Sequence, residues 1–185
     1  MLGNLAGICL HVSREATILI GVLGGTFDPI HYGHLRIALE AMEQYRLKEV
    51  RFIPCKLPVH KNPPIASAEH RLAMIKLAIA GEKRFVCDDR EIRRESPSYM
   101  IETLQSLQEE KNTALGLIVG NDILPTLSTW HRWKEIQEIA KLLVLPRTLP
   151  ISSTEIREMF NNEKNPVYLL PDKVLKYIYQ NRVYF

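Results

Sequence analysis

The sequence predicts an α/β fold in which a mostly parallel sheet carries helices on both faces. Three observations predict it. Short, continuous apolar runs such as "ILIGVLGG" read as strands covered on both sides. Between them lie segments of 11 to 14 residues with helical spacing of their apolar positions, such as "HLRIALEAMEQYR". Strand and helix patterns alternate along the chain, with no repeat, low-complexity tract or linker between them. The expectation is one Rossmann-like, doubly wound domain spanning residues 1–185, with residues 1–16 as an N-terminal extension.

The elements follow in order. Residues 18–25 form the first strand and end in two glycines. Residues 34–46 form a helix with Leu35, Leu39 and Met42 on one face. Residues 49–55 make a second strand, followed by a proline-rich loop over 56–67. A helix over 68–80 ends at Gly81, which can terminate it. Residues 85–89 make a short strand, and 98–111 a helix entered after Pro97. A further strand covers 114–122, a helix 129–140 and a strand 141–146. Ser152 followed three residues later by Glu155 is a capping box, so a helix starts there and runs through 151–162. Pro171 suits the first turn of a last helix over 171–181.

Composition narrows the function classes. The net charge of +3 suits an anionic small substrate, and no Lys/Arg-dense run argues for a nucleic-acid partner. The scattered Cys9, Cys55 and Cys87 form no CxxC pair, which reads as reduced core thiols in a cytoplasmic protein without structural zinc. No apolar run approaches the ~20 residues that a membrane span requires, so no membrane partner is expected. Monomer and homo-oligomer both stay open.

The chemistry concentrates in "LGGTFDPIHYGHLRIA", residues 23–38. In parallel sheets ligands bind beyond the carboxyl ends of the strands, where the strand order switches. Gly24 and Gly25 lack a Cβ, so backbone N–H groups there can come close to a phosphate. The helix that begins near Gly33 or His34 directs its partial positive charge to the same place. His31 and His34 add two imidazole donors, although both could serve only as turn and cap residues. The loop is neither a Walker A sequence nor GxGxxG, and no third ligand stands at metal spacing.

"GGTFDPIHYGHL" together with "ISSTEIR" resembles the HxGH/ISSTxxR nucleotidyltransferase superfamily, and within it the bacterial nicotinate-mononucleotide adenylyltransferase family. The resemblance extends from residue 18 to the end of the chain. It includes "PVHK", "RRESPSYMIETL", "VGND" and "STWHRW", in that order. It implies adenylyl transfer from ATP to nicotinate mononucleotide, giving deamido-NAD and pyrophosphate, with Mg²⁺ bridging the ATP phosphates. His31, His34 and Arg157 are the implied catalytic residues. Gly24, Gly25, Thr26, Phe27, Gly120, Asp122, Ser152, Ser153 and Thr154 would bind ATP, with Asp122 on a ribose hydroxyl. Lys61, Tyr99, Met100 and Trp130 would bind the mononucleotide, with Trp130 stacked on the pyridine ring. Trp133 is assigned to packing, and His11, His60, His70 and His131 to surface or packing roles. Glu91, Arg93, Arg94 and Glu95 read as a solvated charged stretch.

The chain departs from the family pattern in three places. Met100 stands where Thr is frequent, so recognition of the nicotinate carboxylate would rest on backbone donors. Asn121 replaces a small residue. Only "RTLP" separates the strand "KLLVLP" from "ISSTEIR", where the family has a longer connection.

Overall fold

The computed structural model describes residues 20–58, 62–111 and 113–185. Among these residues, five strands form one all-parallel sheet: β1 (Ile20–Gly25), β2 (Glu49–Pro54), β3 (Phe85–Cys87), β4 (Leu115–Gly120) and β5 (Ala140–Leu145). Their spatial order is β3-β2-β1-β4-β5, so the chain winds outward from β1 in one direction and then in the other. Seven α-helices accompany them among the described residues: α1 (Tyr32–Tyr45), α2 (Ala68–Ile79), α3 (Arg90–Arg93), α4 (Met100–Lys111), α5 (Trp133–Ile139), α6 (Ser153–Asn161) and α7 (Asp172–Asn181).

Because strand side chains alternate in direction, each central strand supplies two cores. Leu23, Phe52 and Ile118 pack with Met42 of α1, Met74 and Ile75 of α2, Ile156 of α6 and Ile178 of α7. Val22, Ile53, Leu117 and Val119 pack on the other face with Ile101 and Leu104 of α4 and Ile136 of α5. Double coverage is why these strands read as unbroken apolar runs.

The register opens a cleft. β1 pairs with β2 through Gly25↔Pro54, and β4 with β5 through Gly120↔Leu145. The β1–β4 register, however, stops at Val22↔Leu117. The carboxyl ends of the two central strands therefore part at the switch point, where a ligand is expected.

Several expectations shift. The buried stripe of α1 is Ile37, Ala38, Ala41 and Met42, with Leu35 and Leu39 half-buried at its margin. The segment read as one helix over 129–140 is divided, because a 3₁₀ helix over Asn121–Thr129 comes first and α5 begins only at Trp133. Pro125 lies inside that 3₁₀ run and lacks the N–H that a regular α-helix would need. α2 ends on Ala80 in a right-handed conformation, so Gly81 supplies no left-handed cap. The capping box at α6 forms as read: Glu155 N–H donates to Ser152 Oγ at 3.1 Å, and Ser152 N–H donates to Glu155 Oε2 at 3.3 Å.

The charged stretch after β3 is a larger correction. Its first part forms α3 while Glu95 stays exposed as read, but Glu91 is only 3% exposed and accepts a 2.6 Å hydrogen bond from Thr103 Oγ1 on α4. Burial raises the proton affinity of Glu91, while the Thr103 hydroxyl opposes that rise. Arg94 pairs with Glu102 at 3.3 Å, and Arg90 bridges Asp88 and Glu110 at 2.9 and 2.7 Å. These ions tie β3 and α3 to α4. Arg93, on the outer side and exposed, pairs with Asp89, as a solvated residue would.

Candidate functional site

The turn between β1 and α1 is held from beneath by a buried cation. Arg71 of α2 is 1% exposed and donates to four carbonyls: Thr26 at 2.9 Å, Cys55 at 2.7 Å, Lys56 at 3.2 Å and Ala66 at 3.3 Å. One guanidinium thus sets the ends of β1 and β2 and the loop that precedes α2. Asp28, 4% exposed, plays the matching acceptor role. Its Oδ2 accepts from Ile65 N–H at 2.8 Å, and its Oδ1 accepts from Ala66 N–H at 3.0 Å and from the Tyr184 hydroxyl at 2.8 Å. Burial, followed by the Asp28 charge, pushes the Tyr184 phenol up, so it stays a donor.

On this base stands the histidine pair. His31 occupies the N-cap of α1, and its N–H donates to His34 Nδ1 at 3.3 Å. The two rings stack at 3.8 Å between centroids, and Phe27 meets the His34 ring edge-on at 4.9 Å. Phe27 is a core residue with φ 52°, a left-handed conformation that its burial sustains at the tightest point of the turn. The glycine between the histidines now has a reason. A Cβ on Gly33 would stand 3.0 Å from the Cε1 and Nδ1 atoms of His31, so any side chain there would displace that ring. At Gly24 a Cβ would meet only the end of the flexible Met100 side chain, so a modest shift of that methionine would make room for it.

His31 is 1% exposed, and its Nδ1 has no hydrogen-bond partner among the described residues. Burial, with the Arg147 charge second, lowers its pKa from 6.5 to about 4. At neutral pH the ring is therefore neutral in the free protein and acts as a donor rather than a cation. The unfolded chain takes up this proton below about pH 6.5, whereas the folded protein refuses it until about pH 4. Stability from this group is full above 6.5 and falls away as the pH drops towards 4, by of the order of 3 kcal/mol. Urea unfolding at pH 7 and pH 4.5 should show this loss in the wild type and a smaller loss in His31→Gln. An equal acid loss in both proteins would refute it.

The second half of the site arrives on α6. Arg157 Nη1 donates to the Asp28 carbonyl at 2.6 Å, and Nη2 donates to Thr154 Oγ1 at 3.3 Å. The Ser153 hydroxyl donates to the Pro29 carbonyl at 2.9 Å, so it joins α6 to the first turn. Ser152 is committed to the capping box. The seven residues 146–152 are long enough for this arrangement, since they bring Arg157 to the turn that carries the histidines.

On the far side of β1, Ser98 Oγ accepts from Lys56 N–H at 2.9 Å, and Lys56 Nζ donates to the Arg94 carbonyl at 3.0 Å. Tyr99 follows, and its ring lies 4.3 Å from that of His131. The structure thus joins "SYM" to "STWHRW" through His131, which sequence reading left in a surface or packing role. Trp130 and Trp133 are both half-buried against the second core, so packing alone does not separate them. Gly120 and Asp122 stand at the carboxyl end of β4. Lys61 lies outside the described residues, as do His11, His60, Cys9 and the N-terminal extension. Neither Cys55 nor Cys87 forms a disulfide among the described residues; Cys55 Sγ donates to Thr26 Oγ1 at 3.7 Å, and burial raises the Cys87 pKa to about 11.

Arg71, Asp28, Tyr184 and Arg147 were not singled out from sequence. The one available signal was "TFDP" itself, whose acid sits inside the turn.

Residues 22–159 match the model of the cytidylyltransferase-like family. A relative from Methylococcus capsulatus, named a probable nicotinate-nucleotide adenylyltransferase, is 38% identical across 90% of this chain and 99% of its own length. The chain belongs to this family. A relative of the same name from Aeromonas salmonicida is 40% identical across 89% of this chain and 96% of its own. A Plasmodium falciparum nicotinic acid mononucleotide adenylyltransferase complexed with NaAD shares the fold, with a TM-score of 0.74 at 17% identity over 90% of this chain and 97% of that one. The Methylococcus alignment spreads about 167 residues of this chain over 208 positions, leaving about 40 positions without a counterpart here. This adenylyltransferase is thus compact for its family, in keeping with its short connection before α6. Among its described residues no helix is long and apolar enough to cross a membrane.

Proposed function

We propose that the protein transfers the adenylyl group of ATP to the 5′-phosphate of nicotinate mononucleotide, giving deamido-NAD and pyrophosphate in NAD biosynthesis, in the cytoplasm and within one domain. The observation that carries this reading is the 2.6 Å bond from Arg157 to the Asp28 carbonyl, which brings the two signature motifs of a triphosphate clamp together. The names of the relatives support the same activity. A mononucleotide phosphate oxygen attacks the α-phosphorus, a new P–O bond forms, and the bond to the β-phosphate breaks. The nucleophile is already an anion, so the protein's task is positioning and charge stabilisation. His31 and His34 donate to oxygens on which charge grows, and Arg157 with the N-terminal turn of α6 takes the leaving pyrophosphate.

Backbone groups of Gly24, Gly25, Thr26 and Phe27, with Gly120, Asp122, Ser152, Ser153 and Thr154, line the ATP side. Lys61, Tyr99, Met100 and Trp130 line the mononucleotide side. The donor set suits Mg²⁺ carried by the phosphates. No cluster of three His, Cys, Asp or Glu residues is placed to hold a metal among the described residues, and Asp28 is committed to N–H and O–H donors. When bound there, the ion supplies neutralisation of phosphate charge.

The test is pyrophosphate release from ATP and Mg²⁺ with each of three acceptors: nicotinate mononucleotide, its nicotinamide counterpart and phosphopantetheine. Release with the first is expected to exceed the others, and silence with all three would sink the enzymatic reading. Equal release with the first two would show that Met100 and its neighbours do not select the acid.

A further inference from the structure

A second guanidinium flanks the cleft on the side away from α2. Arg147 stands two residues beyond β5, and the β4–β5 register sets Leu145 beside Gly120 at the carboxyl edge of the sheet. Its Nε donates to Asp122 Oδ1 at 2.8 Å and lies 3.2 Å from where a Cβ on Gly120 would begin. Its positive charge is also felt at His31, on the β1 side of the opening. The side chain therefore faces the mouth between β1 and β4.

A guanidinium has five N–H donors in a rigid fork. Here the Nε bond to Asp122 is made, while Nη1 and Nη2 make no hydrogen bond among the described residues. The pair is an open one, with the side chains of Arg147 and Asp122 43% and 47% exposed. Such pairs hold weakly in water. A phosphate offers a higher charge and the spacing that a fork accepts with two parallel bonds.

We propose that Arg147 binds the nucleotide phosphates on the β4–β5 side of the cleft. Asp122 holds the guanidinium in the free protein and releases it when the nucleotide enters, which frees the carboxylate for a ribose hydroxyl. This inference rests on the nucleotide-binding reading above. The phosphates then lie between two guanidiniums, with Arg157 on the α6 side and Arg147 opposite, and the histidine pair between them.

The test is calorimetric titration of the free protein with ATP and, separately, with inorganic tripolyphosphate, which has no base or ribose. Arg147→Gln should weaken both by about 10- to 100-fold, and Arg147→Lys by less, with thermal transitions unchanged. Asp122→Asn should weaken ATP while leaving tripolyphosphate as tight as in the wild type, or tighter. Equal tripolyphosphate binding by wild type and Arg147→Gln overturns the proposal, including the case where ATP alone weakens, which would mark stacking on the base. No acceptor is present in these titrations. A wild type that binds ATP but adenylylates nothing would therefore refute the proposed reaction and leave this inference standing. A wild type that binds neither probe overturns both.

Discussion

Replacing His34 with alanine is expected to lower turnover about 100- to 1,000-fold while moving the thermal transition by only a few degrees. The kinetic figure is that for removing one preorganised donor to a developing oxyanion. The small thermal effect follows from what His34 does for the fold. It accepts a long 3.3 Å bond from the His31 N–H at the helix start and packs half-exposed against His31 and Phe27. Losing such a cap costs about 1 kcal/mol, which is about 2–4 °C for a chain of this size. The effect should appear in kcat, with KM for ATP changed far less, because the contact strengthens as charge grows on the phosphate. Steady-state kinetics and a thermal melt on one preparation decide the matter. A transition lowered by more than 10 °C, with activity lost in proportion to unfolded protein, would make His34 a structural residue.

The parts of this architecture that were readable from sequence depend on neighbours close along the chain. The apolar run ending in Gly24 and Gly25 is a local signal, and so is the Ser152/Glu155 capping box. The histidines at spacing three could be placed at a helix start for the same reason. What escaped was fixed by partners far apart in sequence. Arg71 lies 45 residues from Thr26, and Asp28 lies 156 residues from Tyr184, so no periodicity marks them as buried. Glu91 looked solvated because its neighbours are charged, yet a hydroxyl on α4 receives it in the interior. Arg147 lies in the shortened connection, and its place at the cleft shows only in its bond to Asp122, 25 residues earlier, and its approach to Gly120.

Arg71→Met is expected to show the opposite pattern to His34→Ala, with stability lost first and activity lost as a consequence. The substitution keeps much of the volume and removes the charge together with all the donors. Four carbonyls from three segments, those of Thr26, Cys55, Lys56 and Ala66, lose their partner where water has little access. Each buried acceptor left unsatisfied costs about 1–3 kcal/mol. Relief from the desolvation cost of the guanidinium offsets part of that sum. A net loss of about 3–5 kcal/mol is expected, read as a lower urea midpoint with an unchanged slope. Arg71→Lys should recover little, because one ammonium on a flexible stem cannot reproduce a fork that spans three chain segments. A methionine variant within 1 kcal/mol of wild type would show that the carbonyls find other partners. If the larger loss is found, the variant should still bind tripolyphosphate at low temperature only weakly. The Thr26 and Cys55 carbonyls that Arg71 holds mark the ends of β1 and β2, and the histidine turn is placed from those two ends.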